Sequence, residues 1–191
     1  MKVNAVVLAA GEARRMGEQK LLLEIGGEPM LARVLRACSH LPTLVVAAPA
    51  LRSFVEGSGV RYLANDSAEW GMAHSLALAD AAAEAGSALL LLLGDKPLVT
   101  RALVDAVLEG AKGADICFPQ HDGIGGHPVF FSLRARERIA RLPHGDTLHL
   151  LRDDTTLRRR ALPIAEIGAY ADIDDPEALE RLRLRAERSI P

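Results

Sequence analysis

Four short stretches hold the residue types that could do chemistry. In residues 6–20, VVLAAGEARRMGEQK, an apolar run ends at Gly11, and a loop carrying Arg14, Arg15 and Lys20 follows before and after Gly17. Exposed backbone N–H groups beside cations form a cradle for polyphosphate. The loop lacks the Gly-Lys-Ser/Thr of a Walker sequence, and its glycine spacing does not fit the dinucleotide fingerprint. A phosphate-binding loop is the better reading than a solvated surface turn. It nominates Leu8, Ala9, Ala10, Gly11 and Glu12 at the strand end, with Arg15 and Lys20 neutralising phosphate charge.

The second stretch, residues 89–99, is LLLLLGDKPLV. Asp95 follows a wholly apolar strand and Gly94, and Pro97 stiffens the turn. A carboxylate there could hold Mg²⁺, which takes one or two carboxylates together with substrate phosphate oxygens. It could equally hydrogen-bond its own turn. The third, GIGGHPVFF at 123–131, predicts close backbone approach to a ligand followed by a strand, with His127 as a lining candidate. The fourth, YADIDDPEAL, places three acids before a helix. Asp175 is accounted for as its N-cap, which leaves Asp172 and Asp174 available as a second metal ligand.

These residues need a frame. Continuous apolar runs at Val3–Ala9, 44–48, Ala88–Leu93 and 116–118 read as strands buried on both faces of a parallel sheet. Between them lie helical patterns: 29–38 with Leu31, Val34, Leu35 and Cys38 inward, and a second with Met72, Leu76, Ala79 and Ala83. A third is capped by Thr100 and buries Leu103, Val104, Val107 and Leu108, and a last helix starts at Asp175-Pro176. The alternation predicts an α/β fold, a single doubly wound and mostly parallel Rossmann-like sheet, with residues 1–191 as one domain. In such sheets ligands sit beyond the carboxyl ends of the strands, which puts the loops after Ala9 and Leu93 on one rim.

Composition narrows the partners. A net charge of −2 gives no general attraction to nucleic acid or to an anionic membrane, so phosphate binding must be local. The run at 89–93 is too short to cross a bilayer. No signal-peptide pattern opens the chain, and Cys38 and Cys117 lack metal-ligand spacing, so the expectation is a cytoplasmic protein with two reduced, buried thiols.

The motifs together resemble the nucleotidyltransferases of molybdenum-cofactor biosynthesis, over nearly the whole chain. LAAGEARRMGEQK is similar to the family's LAAG-x-x-x-R-M-G-x-x-K, NDSAEWGMAHSL to its segment ending G-M-x-x-S-L, and LLGDKPLV to its G-D-x-P turn. GGHPVFF resembles its G-H-P-V-x-F, HGDTLHLL a G-D-containing stretch, and DIDDPEAL its D-I-D-T-P-E-D-L. The resemblance implies that a triphosphate lies on the first loop, with Asn65, Ser75, Gly94 and His127 among the residues around it. It implies Mg²⁺ on Asp95 and Asp174, with Asp172 in reserve, and attack by the acceptor's phosphate on the α-phosphorus with release of pyrophosphate. Arg15, Lys20 and Asp95 would then be the catalytic groups.

Family members with L-A-A-G at the loop are cytidylyl, those with L-A-G-G guanylyl. Leu8-Ala9-Ala10-Gly11 therefore implies CTP, with molybdopterin-type cofactor as acceptor and a molybdoenzyme or its maturation chaperone as recipient. Use of GTP or another phosphorylated acceptor is the alternative. An oxidoreductase, or a cofactor chaperone without turnover, is also compatible with such a scaffold. Two departures stand out: Lys96 occupies a position where Met or Gln is common, and His149 falls where Arg is expected.

Overall fold

The computed structural model describes residues 1–10, 20–143, 145, 148–172 and 180. The phosphate loop at 11–19 and the acidic stretch from 173, with Asp174 and Asp175, lie outside the described residues, as does the last helix.

The described strands are β1 (Val3–Ala9), β2 (Glu24–Ile25), β3 (Glu28–Pro29), β4 (Thr43–Ala47), β5 (Arg61–Ala64), β6 (Ala88–Leu93), β7 (Ile116–His121), β8 (Ile124–Gly125), β9 (Val129–Phe131) and β10 (Arg159–Pro163). The helices are α1 (Met30–Ala37), α2 (Arg52–Gly57), α3 (Met72–Ala82), α4 (Arg101–Gly110), α5 (Leu133–Ile139) and α6 (Leu148–Asp153). The main sheet runs β10-β7-β9-β6-β1-β4-β5, with β8 hydrogen-bonded to β7. β1, β4, β5 and β6 are mutually parallel neighbours, and β10 is parallel to β7. β9 inserts antiparallel between β6 and β7, which makes the sheet mixed at that point.

Alternate residues of each central strand face opposite layers, as the pleat requires. Ala5, Val7, Leu90 and Leu92 pack with Leu31, Val34, Val55, Leu103 and Val107 of α1, α2 and α4. Val6, Leu8, Leu89 and Leu91 pack with Leu76, Ala79, Ala135, Ile139 and Leu151 of α3, α5 and α6. Two apolar layers on one sheet explain why β1 and β6 read as unbroken apolar runs. Thr100 caps α4 as expected, its hydroxyl accepting from the Leu103 N–H at 3.1 Å. Both cysteines are buried.

Glycines dock a late segment against the rim. The 3-10 turn Ile167–Ala169 lies so close to the loop after β6 that a Cβ on Gly168 would overlap the Leu98 carbonyl oxygen. A Cβ on Gly126 would stand 2.6 Å from the Ala169 oxygen and 2.8 Å from the Tyr170 ring. The His127 N–H donates to the Ala169 oxygen at 2.8 Å. The glycine at 126, expected to admit a ligand, thus admits backbone from this later segment.

Gly168→Ala should therefore destabilise the protein by about 1–3 kcal/mol, since the obstruction is backbone and cannot rotate away. Thermal denaturation will show a lowered midpoint; an unchanged midpoint would mean that the segment is loosely held.

Candidate active site

The rim is built outward from β1 and β6. In the parallel register Leu8 faces Leu93, and the Gly94 N–H then donates to the Leu8 oxygen at 2.9 Å. A Cβ at 94 would meet Ala9 Cβ and Leu8 O at 3.3 Å and Leu21 Cδ1 at 3.2 Å, so only glycine fits without displacement. Leu8, Ala9 and Ala10 are buried. The side chains of Leu8 and Ala9 belong to the core, and the Leu8 oxygen is already engaged.

Immediately beyond Gly94, consecutive residues turn to different partners. The Asp95 carboxylate meets Lys20 Nζ at 3.5 Å. Lys20 opens the 3-10 turn Lys20–Leu22, which leads through β2 and β3 into α1. The Lys20 side chain is only 13% exposed, so the stem is packed and the head reaches Asp95. Arg33 on α1, which motif reading did not single out, braces both partners. It donates to the Pro97 oxygen of the aspartate turn and to the Ile25 oxygen of β2, each at 3.2 Å.

Lys96 takes the other side. It is 6% exposed, donates to the Tyr170 oxygen at 2.9 Å, and forms a short ion pair with Asp172. A buried ammonium needs such compensation. Asp172, the reserve metal ligand of the sequence reading, is thereby engaged by a cation.

Beside Lys96 lies a cavity of about 310 Å³, bounded by Leu93, Val129, Met72, His127, Arg152 and Asp172 among others, with His149 also on its lining. Arg152 Cζ lies 5.8 Å from the Phe118 ring centroid. A Cβ on Gly125 would overlap the Arg152 guanidinium, so that glycine admits a side chain. Gly71, at φ +85°, lets the α3 N-terminus cross Gly145: a Cβ there would lie 2.7 Å from that backbone. Gly145 donates to Trp70 O and accepts from Ala73 N.

Asn65 and Ser75 are buried and brought together. The Asn65 amide donates to the Ser75 hydroxyl at 2.8 Å, and its carbonyl accepts from Ser67 N at 2.9 Å. Expected as ligand contacts, both side chains serve here to hold the loop between β5 and α3. Gly11, Glu12 and Arg15 lie outside the described residues, as does Asp174. Among the described residues no three His, Cys, Asp or Glu side chains converge as a metal cluster.

Residues 5–160 match the sequence profile of the MobA-like NTP transferase domain. The chain belongs to that family. It is accordingly a nucleotidyltransferase. A protein of Pelotomaculum thermopropionicum named probable molybdenum cofactor guanylyltransferase is 27% identical over 200 residues, covering 99% of this chain and 96% of its own. The molybdenum cofactor guanylyltransferase of Rhodobacter capsulatus is 28% identical over 201 residues, covering both chains fully. Among solved structures, the Mycobacterium tuberculosis Rv0371c homologue from Mycobacterium sp. strain JC1 superposes with a TM-score of 0.83 at 26% identity, covering 97% of each chain. No helix among the described residues of this MobA-like transferase is long and apolar enough to cross a membrane.

His127 carries a pH signature. Burial, the nearby charge of Lys96 and then that of Arg152 push its pKa down to about 3, against a backbone hydrogen bond with Leu91 that acts the other way. Its Nδ1 is buried and without a hydrogen-bond partner among the described residues. The unfolded chain protonates this histidine near its ordinary value of 6.5, so stability is full above that pH and falls as pH drops towards 3. Asp115, held at about 2 by hydrogen bonding from Arg158 against an ordinary 3.8, adds a further loss at lower pH. Urea denaturation between pH 7 and 4 should show declining stability that flattens in His127→Gln. An equal slope in that variant would show that the imidazole protonates freely in the fold.

Proposed function

We propose that this chain transfers CMP from CTP to the phosphate of a molybdopterin-type cofactor and releases pyrophosphate. The observation that carries the reading is the Lys20–Asp95 pair, 3.5 Å apart at the rim beyond the ends of β1 and β6. The names of the two full-length relatives support the acceptor.

The chain's own residues account for the work such a transfer needs. The acceptor oxygen forms a bond to the α-phosphorus while the bond to the bridging oxygen breaks and pyrophosphate departs. That exchange needs alignment and charge neutralisation more than a protein nucleophile. Lys20 and Arg15 are the cations for the triphosphate, and the rigid turn around Gly94 holds Asp95 beside Lys20. The Asp95 carboxylate is partly open to solvent and is a hard oxygen donor. It fits Mg²⁺, with Asp174 as the second carboxylate. The ion would neutralise phosphate charge.

Two observations bear on the nucleotide. Ala10 is buried at the end of β1, and its methyl in place of glycine favours the smaller pyrimidine base. The relatives' names favour GTP instead. One methyl changes discrimination by about 1–3 kcal/mol, so Ala10→Gly should relax a CTP preference without reversing it.

The deciding experiment incubates the protein with molybdopterin-type cofactor, Mg²⁺ and each of the four triphosphates, and reads the products by mass. A CMP adduct is expected. A GMP adduct would replace only the nucleotide assignment, whereas no adduct with any triphosphate would overturn the reading. Lys20→Met, which keeps the packed stem, should weaken triphosphate binding at least tenfold by calorimetry with the fold intact.

A further inference from the structure

The described structure uses two of the three donors of the Lys96 ammonium, on Tyr170 O and Asp172. Lys96 lines the 310 Å³ cavity together with Arg152 and the unprotonated His127 ring. It also follows Asp95 directly, so their Cα atoms are about 3.8 Å apart across the peptide. Asp95 turns to Lys20, and Lys96 turns to the cavity. A group bound at Lys96 is therefore one residue away from the triphosphate side of the rim.

We propose that Lys96 binds the acceptor's phosphate and that Asp172 is its resident counter-ion, displaced when that phosphate arrives. The assignment rests on the transferase reading for the identity of the acceptor, though the anion site itself does not. Three features support it. Lys96 is nearly buried, so its charge is poorly screened and a dianion gains more there than on the surface. Asp172 is the exposed member of the pair, its side chain 45% exposed, and can leave while Tyr170 O continues to hold the ammonium. Arg152 supplies a second cation on the same cavity, suited to a phosphate or to a second anionic group of the acceptor.

The two halves of this ion pair give opposite expectations, which a merely structural bridge would not. Inorganic phosphate is the probe, titrated by calorimetry onto the protein alone and onto protein saturated with a non-hydrolysable CTP analogue, which occupies the triphosphate loop. Lys96→Met should weaken phosphate binding to the analogue-saturated protein about tenfold, and Asp172→Asn should strengthen it severalfold, since the competing carboxylate charge is gone. Lys96→Arg should restore most of the affinity. With molybdopterin-type cofactor and CTP, Lys96→Met should raise KM for the acceptor much more than KM for the triphosphate. If Lys96→Met does not fold, Lys96→Gln retains a donor for Tyr170 O and carries the same test. Phosphate affinity unaltered by loss of Lys96, or weakened equally by Lys96→Met and Asp172→Asn, overturns the proposal. If the analogue fails to bind, the CTP assignment fails separately, and the variants are compared in the nucleotide-free protein.

Discussion

The contact between Gly94 and the end of β1 governs the rim. Two parallel strands in tight register bring the turn after β6 against Leu8 and Ala9, and the absence of a side chain at 94 permits the approach. Asp95 then has little choice of position. Pro97 and the Arg33 guanidinium stiffen the turn from beyond, and the same arginine ties it to the hairpin that delivers Lys20. A charged pair is thus carried by backbone whose freedom has been removed in advance, which would give the proposed transfer its alignment without movement during reaction.

Around that turn the charges alternate. Asp95 is compensated by Lys20 and Lys96 by Asp172. Each pair joins residues far apart in the chain, and each sits on its own side of the same peptide bond. In a low-dielectric pocket an uncompensated ammonium or carboxylate would be costly, so the resident pairings stabilise the site before substrate arrives. The late segment bearing Tyr170 and Asp172 is held in place by Gly126 and Gly168, whose missing side chains allow backbone to touch backbone.

Much of the frame was legible in residue order. β1 and β6 coincide with their apolar runs, β4 begins one residue earlier than expected, and α1, α3 and α4 follow their apolar faces, α4 with its Thr100 cap. β7 continues three residues past its apolar stretch, because its later part, Pro119 to His121, is recruited by pairing with β8 and β10. β5 and β10 escaped notice for a related reason. At the two sheet edges their residues are largely exposed, so they lack the apolar signature, and hydrogen bonding to a neighbour is what makes them strands.

What the sequence determined by itself is the chemistry available: a strand-loop with cations, an aspartate on a stiff turn, and enough membership signal to identify a nucleotidyltransferase. These features are local, since propensity, capping and motif spacing act over a few residues. The tertiary structure alone decided the pairings. It set Lys20 on Asp95, gave Asp172 to Lys96, joined Asn65 to Ser75, and turned the glycines at 125 and 126 towards Arg152 and Tyr170. Such contacts depend on which distant segments the sheet brings to one rim, and on burial strong enough to require a partner for every charge; neither is encoded in the spacing of a motif.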